Sequence, residues 1–381
     1  MRIIIDLRPL MDGRVSGVTV YIKQFLKELL DRSGAHEFIL FWNSFSHVNH
    51  RFDFLEEFLS DRVKVVSTRI PNILLNFSLR FFGWPCLDKL IQMKLGDKKK
   101  IDLFFLPDLR PVCLSNNVRL VTTFHDLSFV HVPGSFSFKT RMWHTFINPL
   151  GLARMSDRII AVSHFTKSDL IDVYKIDGQN ISVVHHGVSL PEGCTDTWFN
   201  ISRRYDLPEK YLLTLSTLEP RKNLVRLMEA FDRFRRVHAD ISLVVAGSFQ
   251  SDVFSAFNLK QVPGVYFTGF VEEVHKLDIY SHALGFVYVS EYEGFGLPVL
   301  EAALASCQLL VSNNTSVNEI APTEAVRVSP FSVDEIALGL EKLLLISSDQ
   351  TIRRRFREYA LRFTWKKCVD ETIGVFEDVL K

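Results

Sequence analysis

Two glutamates eight positions apart, Glu293 and Glu301, and the run Glu219-Pro220-Arg221-Lys222-Asn223 hold much of the chemical capacity of this 381-residue chain. Around the glutamates the sequence reads Glu291-Tyr292-Glu293-Gly294-Phe295-Gly296-Leu297-Pro298-Val299-Leu300-Glu301. An apolar run ending at Ser290, then glycines, then a proline suited to a first helical turn predict strand, turn and helix start. Glu301 is then expected in about the first turn, and Glu293 in the loop before it. Even at full helical spacing the two would lie about 12 Å apart. Such a pair is not a shared-proton dyad; it would grip two ends of one ligand. The Phe295–Leu297 amides at the helix start form a natural anion cradle. A plain turn, with Glu301 favoured by the helix dipole, explains the same residues.

Arg221 and Lys222 are adjacent cations in a loop before a helix, able to neutralise a diphosphate; taken in isolation, the same residues read sooner as a solvated surface turn. Phe124-His125-Asp126-Leu127 closes a strand, and a lone His–Asp pair is often structural. A serine hydrolase is disfavoured, because no Gly-x-Ser-x-Gly elbow occurs. Neither a Walker P-loop nor Gly-x-Gly-x-x-Gly is present, against a phosphate-transferring ATPase and a dinucleotide enzyme. There is also no Asp-x-Asp, so Lys and Arg must handle any diphosphate charge without a clamped metal.

The elements that must position these residues alternate. Ile3–Ile5 reads as a buried strand, a loop with Gly13 and Gly17 follows, and Val18, Tyr21, Ile22, Phe25, Leu26, Leu29 and Leu30 share one helical face. The second half opens alike, with Tyr211–Leu215 as strand, 216–223 as loop and a helix from Leu224. Further strands are expected at Phe38–Trp42, Leu103–Leu106, Leu120–Phe124, Ile159–Ser163, Ile181–His185, Ile241–Ala246, Val265–Thr268, Leu284–Ser290 and Gln308–Ser312. Helices are expected at Leu297–Ser306, Val333–Ile346 and Ile352–Phe363. This predicts an α/β chain of two doubly wound, Rossmann-like domains, whose ligand would sit beyond the carboxyl ends of the strands, in a cleft. The linker-like stretch 189–205 sets the expected domains as 1–190 and 191–362, with 363–381 a C-terminal helix packing back on the first.

Together these segments resemble the retaining glycosyltransferases of family 4, with the GT-B fold. The Glu-x7-Glu pattern is joined by Ser16-Gly17-Val18 with Tyr21, His125-Asp126-Leu127, Val162–Ser168, Glu219–Asn223, Val265–Val271 and Ser316-Val317-Asn318-Glu319. The opening Asp6-x-Arg8-Pro9 and Leu218–Asn223 look most like the mannosyltransferases of bacterial surface polysaccharides. The resemblance implies a donor such as GDP-mannose, a lipid-linked saccharide acceptor, transfer with retention by front-face attack, and no metal or other cofactor. It assigns Gly17 to the first-loop approach, His125 to the donor sugar, and Arg221 and Lys222 to the diphosphate. Glu293 would take sugar hydroxyls, the Phe295, Gly296 and Leu297 amides sugar and phosphate, and Glu301 the ribose. Phe270 and Val271, in the Gly269–Val271 loop, would meet the base. The chain departs from the family pattern at Thr217, where many members have arginine, and at His186-Gly187-Val188-Ser189 and Ser316–Glu319. A UDP-sugar or other GDP-sugar donor, a sugar-nucleotide epimerase, and an inactive GT-B scaffold are the competing readings.

Composition supports a globular protein with ample material for a core: 47% of residues are apolar and 23% charged. The net charge of +1 conceals a basic front half, with 24 Lys and Arg against 18 Asp and Glu in 1–190, and an acidic remainder, 21 against 26. A sequence pI of about 7.7 speaks against nucleic acid as partner. Five dispersed cysteines read as reduced thiols of a cytoplasmic protein, and the strand at Met1–Ile5 reads against a secretory signal. Residues 64–100 interleave Lys64, Arg69, Arg80, Lys89, Lys94 and Lys98–Lys100 with Ile73–Leu75, Phe77, Phe81, Phe82 and Trp84. That mixture suits peripheral docking on the anionic inner face of the membrane, or a core helix with a solvated basic face. The missing Asp-x-Asp makes one expectation sharp: turnover survives EDTA. Complete loss with chelator and rescue by Mg²⁺ or Mn²⁺ is the contrary result.

Overall fold

The computed structural model describes residues 1–12, 16–31, 36–45, 58–191, 193–248 and 262–381. Short runs of branched and aromatic residues, apolar at nearly every position, are what strands covered on both faces need. They form two wholly parallel sheets. The first contains β1 (Arg2–Asp6), β2 (Glu37–Asn43), β3 (Val63–Thr68), β4 (Leu103–Leu106), β5 (Arg119–Phe124), β6 (Arg158–Ala161) and β7 (Ile181–Val183), ordered β3-β2-β1-β4-β5-β6-β7. The second contains β8 (Tyr211–Leu215), β9 (Ser242–Ala246), β10 (Val265–Gly269), β11 (Gly285–Tyr288), β12 (Leu309–Ser312) and β13 (Val326–Val328), ordered β10-β9-β8-β11-β12-β13. Strand order reverses beside the first strand of each sheet, so crevices open beyond the carboxyl ends of β1 and β4, and of β8 and β11.

Two strands had no counterpart in the sequence pattern. β3 lies at an edge with Lys64 and Val65 only partly covered, and β13 is three residues long. Neither offers a continuous apolar run. β3 also corrects the reading of 64–100 as one docking stretch. Lys64 is a strand residue paired with Glu37 at 3.2 Å and Asp97 at 3.7 Å. Arg80 is turned to the Phe146 carbonyl at 2.9 Å.

The chain divides into two compact units, Met1–Leu127 with Lys139–His186 and Trp365–Lys381, and Ser128–Phe138 with Gly187–Thr364. The change of unit falls at 186/187, just before the polar stretch 189–205. Segment 128–138 joins the second unit, which no local pattern announces. The last helix, Trp365–Leu380, places Trp365, Cys368, Val369, Val375 and Phe376 in the first unit's core with Ile3, Tyr21 and Phe25. The rings of Phe376 and Phe105 meet at 5.1 Å.

Candidate active site

Beyond β8 the chain stays aligned with β9: Ser216 N–H donates to the Ala246 carbonyl at 3.0 Å, and Leu218 N–H to that of Ser248 at 3.0 Å. Gly247 permits this approach. It has φ 136°, and a Cβ there would lie 1.8 Å from the Ser216 oxygen. The loop then turns through a 3₁₀ segment, Pro220–Lys222, into the helix Leu224–Arg235. Buried Asn223, at φ 60°, donates to the Val289 carbonyl at 3.0 Å and the Pro330 carbonyl at 2.6 Å. The Glu291 N–H donates to the Arg221 carbonyl at 2.8 Å, binding this loop to the one after β11.

This framework brings four charges together. Lys222 Nζ lies 2.5 Å from Glu293 Oε1 and 2.9 Å from the Tyr288 hydroxyl. Arg221 reaches Glu293 Oε2 at 3.0 Å, Glu219 Oε2 at 2.7 Å and the Tyr292 carbonyl at 3.1 Å. Glu219 and Glu293 are both buried, so two carboxylates answer two cations. Burial opposes the charge on Glu293, but Lys222 and Arg221 outweigh it and hold the carboxyl at about 2. Burial, and then the neighbouring Arg221, bring Lys222 below the ordinary lysine value. The two cations that the sequence reading assigns to a diphosphate are each paired with a carboxylate in the structure. Adjacent cations in one loop cannot reveal a glutamate arriving from another strand.

Glu301 also differs from expectation. Gly296 takes φ 99° and the helix runs Leu297–Leu304, so Glu301 belongs to its second turn, away from the dipole end. Its carboxylate accepts from the Tyr280 hydroxyl at 3.1 Å and pairs with Lys276 at 3.5 Å. Burial, and the charge of Glu273, raise the Glu301 pKa against the pull of Lys276 and Tyr280. Phe295 is buried near Phe363, while Leu297 is half-covered at the helix start. No side chain caps that start. The buried Ser316 hydroxyl faces the loop carbonyls, with oxygen separations of 2.8 Å to Glu293 and 3.0 Å to Phe295. At the end of β10, Gly269 has φ 69° and its carbonyl accepts from Gly247 N–H at 2.8 Å; Phe270 follows exposed and Val271 buried. The structure thus gathers Arg221, Lys222 and Glu293 in one cluster, and gives Glu301 separate partners.

Two expected residues lie in the first unit. Gly17 opens the helix Gly17–Leu30, whose Ser16 cap and Thr19 form a reciprocal capping box. A Cβ on Gly17 would meet nothing within 4 Å among the described residues, so packing against them does not explain a glycine there. Half-buried His125 follows β5 with Nε2 2.8 Å from the Pro107 carbonyl. A carbonyl only accepts, so that bond places the proton on Nε2 and leaves Nδ1 as the ring's acceptor when neutral. Tyr21 and His186 flank the ring, at centroid distances of 5.0 and 5.4 Å. The partners Tyr280, Lys276 and Tyr288 were not found from sequence. Lys276 and Tyr280 share a helix face at i,i+4, but nothing local aims that face at Glu301.

A family model described as Glycosyl transferases group 1 matches residues 198–363, and one described as Glycosyltransferase Family 4 matches residues 15–191. The chain is a glycosyltransferase built of a family 4 domain followed by a group 1 domain. This glycosyltransferase is 28% identical over 272 residues to O-antigen chain mannosyltransferase B of Escherichia coli, covering 68% of this chain and 70% of that one. It is 25% identical over 276 residues to O-antigen chain mannosyltransferase RfbU of Salmonella typhimurium, covering 68% and 71%. The match to serotype-specific mannosyltransferase WbdA of Escherichia coli, 26% over 251 residues, takes 62% of this chain but only 30% of that longer protein. Among solved structures, a glycosyltransferase from Rickettsia africae superposes with TM-score 0.68 at 16% identity, over 100% of this chain and 98% of that one. Anabaena HepE, in complex with UDP and glucose, gives TM-score 0.66 at 15%, over 99% and 100%. These neighbours establish the GT-B fold.

For this glycosyltransferase the ion cluster makes a prediction about stability. Glu293→Gln leaves Lys222 and Arg221 in a buried site without their shared counter-charge, costing about 3–5 kcal/mol at pH 7. Because the folded-state pKa of Glu293 lies below its ordinary 4.5, this advantage is present above that pH and fades as pH falls towards about 2. Denaturant unfolding of both proteins across that range is expected to show the gap closing in acid.

Proposed function

We propose that this glycosyltransferase is a retaining hexosyltransferase that moves mannose from GDP-mannose to a hydroxyl of a lipid-linked oligosaccharide in cell-surface polysaccharide synthesis. The observation that carries the reading is the Arg221–Lys222–Glu293 cluster at the β8/β11 crevice, in a chain whose relatives are named O-antigen mannosyltransferases. A diphosphate competes with Glu293 for Lys222 and Arg221, so its arrival frees the Glu293 carboxylate for sugar hydroxyls. Glu301, with Tyr280 and Lys276 behind it, receives the ribose, and Phe270 and Val271 meet the base. His125 offers Nδ1 to a donor-sugar hydroxyl.

No carboxylate stands out as a nucleophile for double displacement. In front-face transfer the acceptor oxygen bonds to the anomeric carbon as the bond to the β-phosphate breaks, and the leaving phosphate takes the acceptor proton. Charge grows on that phosphate, so Lys222 and Arg221 bind the transition state more strongly than the ground state. No metal is required. A second reading, a UDP-sugar donor, draws support from Anabaena HepE and an E. coli trehalose-6-phosphate protein, whose structures hold UDP or a UDP sugar. Thermal shift across GDP- and UDP-sugars separates the two, since a native-state ligand raises Tm. GDP-mannose is expected to give the largest rise, and incubation without acceptor is expected to yield no epimerised donor.

The same roles separate two variants in steady-state kinetics. Lys222→Ala removes a cation beside developing charge, so kcat falls by about 10²–10³ at saturating donor. Glu301→Gln weakens contacts to hydroxyls that do not change in the reaction, so donor KM rises by the equivalent of roughly 1.5–3 kcal/mol. Circular dichroism of both variants controls for folding. Normal kcat in folded Lys222→Ala removes the phosphate assignment.

The acceptor's lipid gives the exposed face of the first unit a partner. Among the described residues no helix is long and apolar enough to cross a membrane. Yet Ile73, Leu74, Phe77, Phe81, Phe82 and Trp84 stand exposed around the helix Asn72–Phe81, with Lys98–Lys100 near in sequence. Apolar side chains beside cations fit an anionic lipid surface, which is where we place this face. Changing Lys98, Lys99 and Lys100 to Glu is expected to weaken salt-sensitive binding to phosphatidylglycerol-containing vesicles while sparing turnover of a short soluble acceptor. Equal vesicle binding by the triple variant returns the segment to a solvated surface.

A further inference from the structure

We propose that Cys194, Asp196 and His275 form a zinc site that fastens the segment 194–197 to the turn Glu273–His275. One ligand atom from each of the three lies within 4.8 Å of the others. An ion with sulfur at about 2.3 Å and nitrogen and oxygen at about 2.0–2.2 Å sets its tetrahedral ligands roughly 3.3–3.7 Å apart. Closing that difference takes a movement of about 1 Å. The fixed point is His275, which is buried, and the movable partners are half-covered Cys194 and exposed Asp196. The His275–Asp196 pair is already near ligand spacing, with Nε2 3.0 Å from Oδ2.

The far side of the imidazole is prepared as well. Nδ1 lies 2.8 Å from the hydroxyl of buried Tyr205, and that oxygen accepts the Glu272 N–H at 3.2 Å. Tyr205 can satisfy either tautomer. Without an ion, Nε2–H donates to Asp196 and the Tyr205 O–H donates to Nδ1. With one, the proton resides on Nδ1, which donates to the Tyr205 oxygen, and the Nε2 lone pair turns to the metal. A ligating histidine whose second nitrogen is held by a polar partner is the usual outer arrangement of metal sites. The Cys194 thiol must give up its proton, so each ion bound releases one proton and affinity rises with pH.

The donor set selects the metal. A thiolate, an imidazole and one carboxylate suit zinc, whereas Mg²⁺ and Ca²⁺ prefer oxygen throughout. Three protein ligands leave the fourth position to water. His275 precedes Lys276, the partner of Glu301, so the ion steadies the support of that glutamate and takes no part in sugar transfer. Chelator therefore lowers Tm while kcat at saturating donor is unchanged.

The test uses the full chain, stripped with EDTA, exchanged into metal-free buffer and titrated with ZnCl₂ or CoCl₂. The expected result is one zinc per chain by plasma mass spectrometry and a sulfur-to-cobalt charge-transfer band in the near ultraviolet. Tm is expected to rise by about 5 °C at a hundredfold excess over Kd. Cys194→Ser removes the band and most of the Tm rise, and Asp196→Ala weakens binding at least tenfold. Both positions are solvent-accessible, so these variants retain the fold. A Cys86→Ser, Cys113→Ser double variant keeps the band, because those thiols pair 3.8 Å apart elsewhere in the chain. Absence of binding, a band that survives Cys194→Ser, or a band lost in the double variant overturns the proposal.

Discussion

Charge that is taken out of water must be answered where it is buried, and the second unit is arranged around that requirement. Glu293 is stable inside the protein only because Lys222 and Arg221 meet it, and Arg221 in turn is held by Glu219. These residues come from the loops after β8 and β11, on the two sides of the point where strand order reverses. The cluster therefore does more than neutralise itself. It determines how two loops of the sheet stand relative to each other, with Asn223 and the Glu291–Arg221 backbone bond completing the attachment.

Electrical balance of two anions and two cations has a chemical consequence. On the function proposed above, an incoming phosphate does not find bare cations; it replaces a carboxylate that already satisfies them. Such an exchange couples arrival of the leaving group to release of Glu293, and it keeps the cations desolvated and oriented in advance. Preorganisation of this kind is what transition-state stabilisation requires, since no reorientation remains to be made as charge develops. The raised pKa of Glu301 reflects a different setting, a buried carboxylate near the charge of Glu273, with Lys276 and Tyr280 only partly offsetting these.

The first unit repeats the sheet order but not the electrostatics. At the end of β1, buried Asp6 and Arg8 pair at 2.5 Å, and Arg8 also donates to the Pro111 carbonyl at 3.0 Å. That cation is paired within its own strand end. The aromatic and imidazole group around Tyr21, His125 and His186 occupies the neighbouring space instead. Equivalent topologies thus carry unequal chemistry, as expected when function resides in loops grafted onto a shared scaffold.

Much of this architecture is written in local pattern. Buried parallel strands are nearly all apolar, so β1, β4, β8 and β12 can be read from composition and length alone, and Gly296 and Pro298 mark where a helix begins. The order of motifs along the chain was sufficient for the family. Edge strands β3 and β13 escaped because a half-solvated or three-residue strand leaves no such run. What only the tertiary structure decided is partnership: that Lys222 faces Glu293 across 71 positions of sequence, that Tyr280 and Lys276 answer Glu301, and that segment 128–138 joins the second unit. The reason is physical. Hydrophobic periodicity is a property of neighbours along the chain, whereas the pairing of a buried charge depends on which distant loop the sheet order brings beside it.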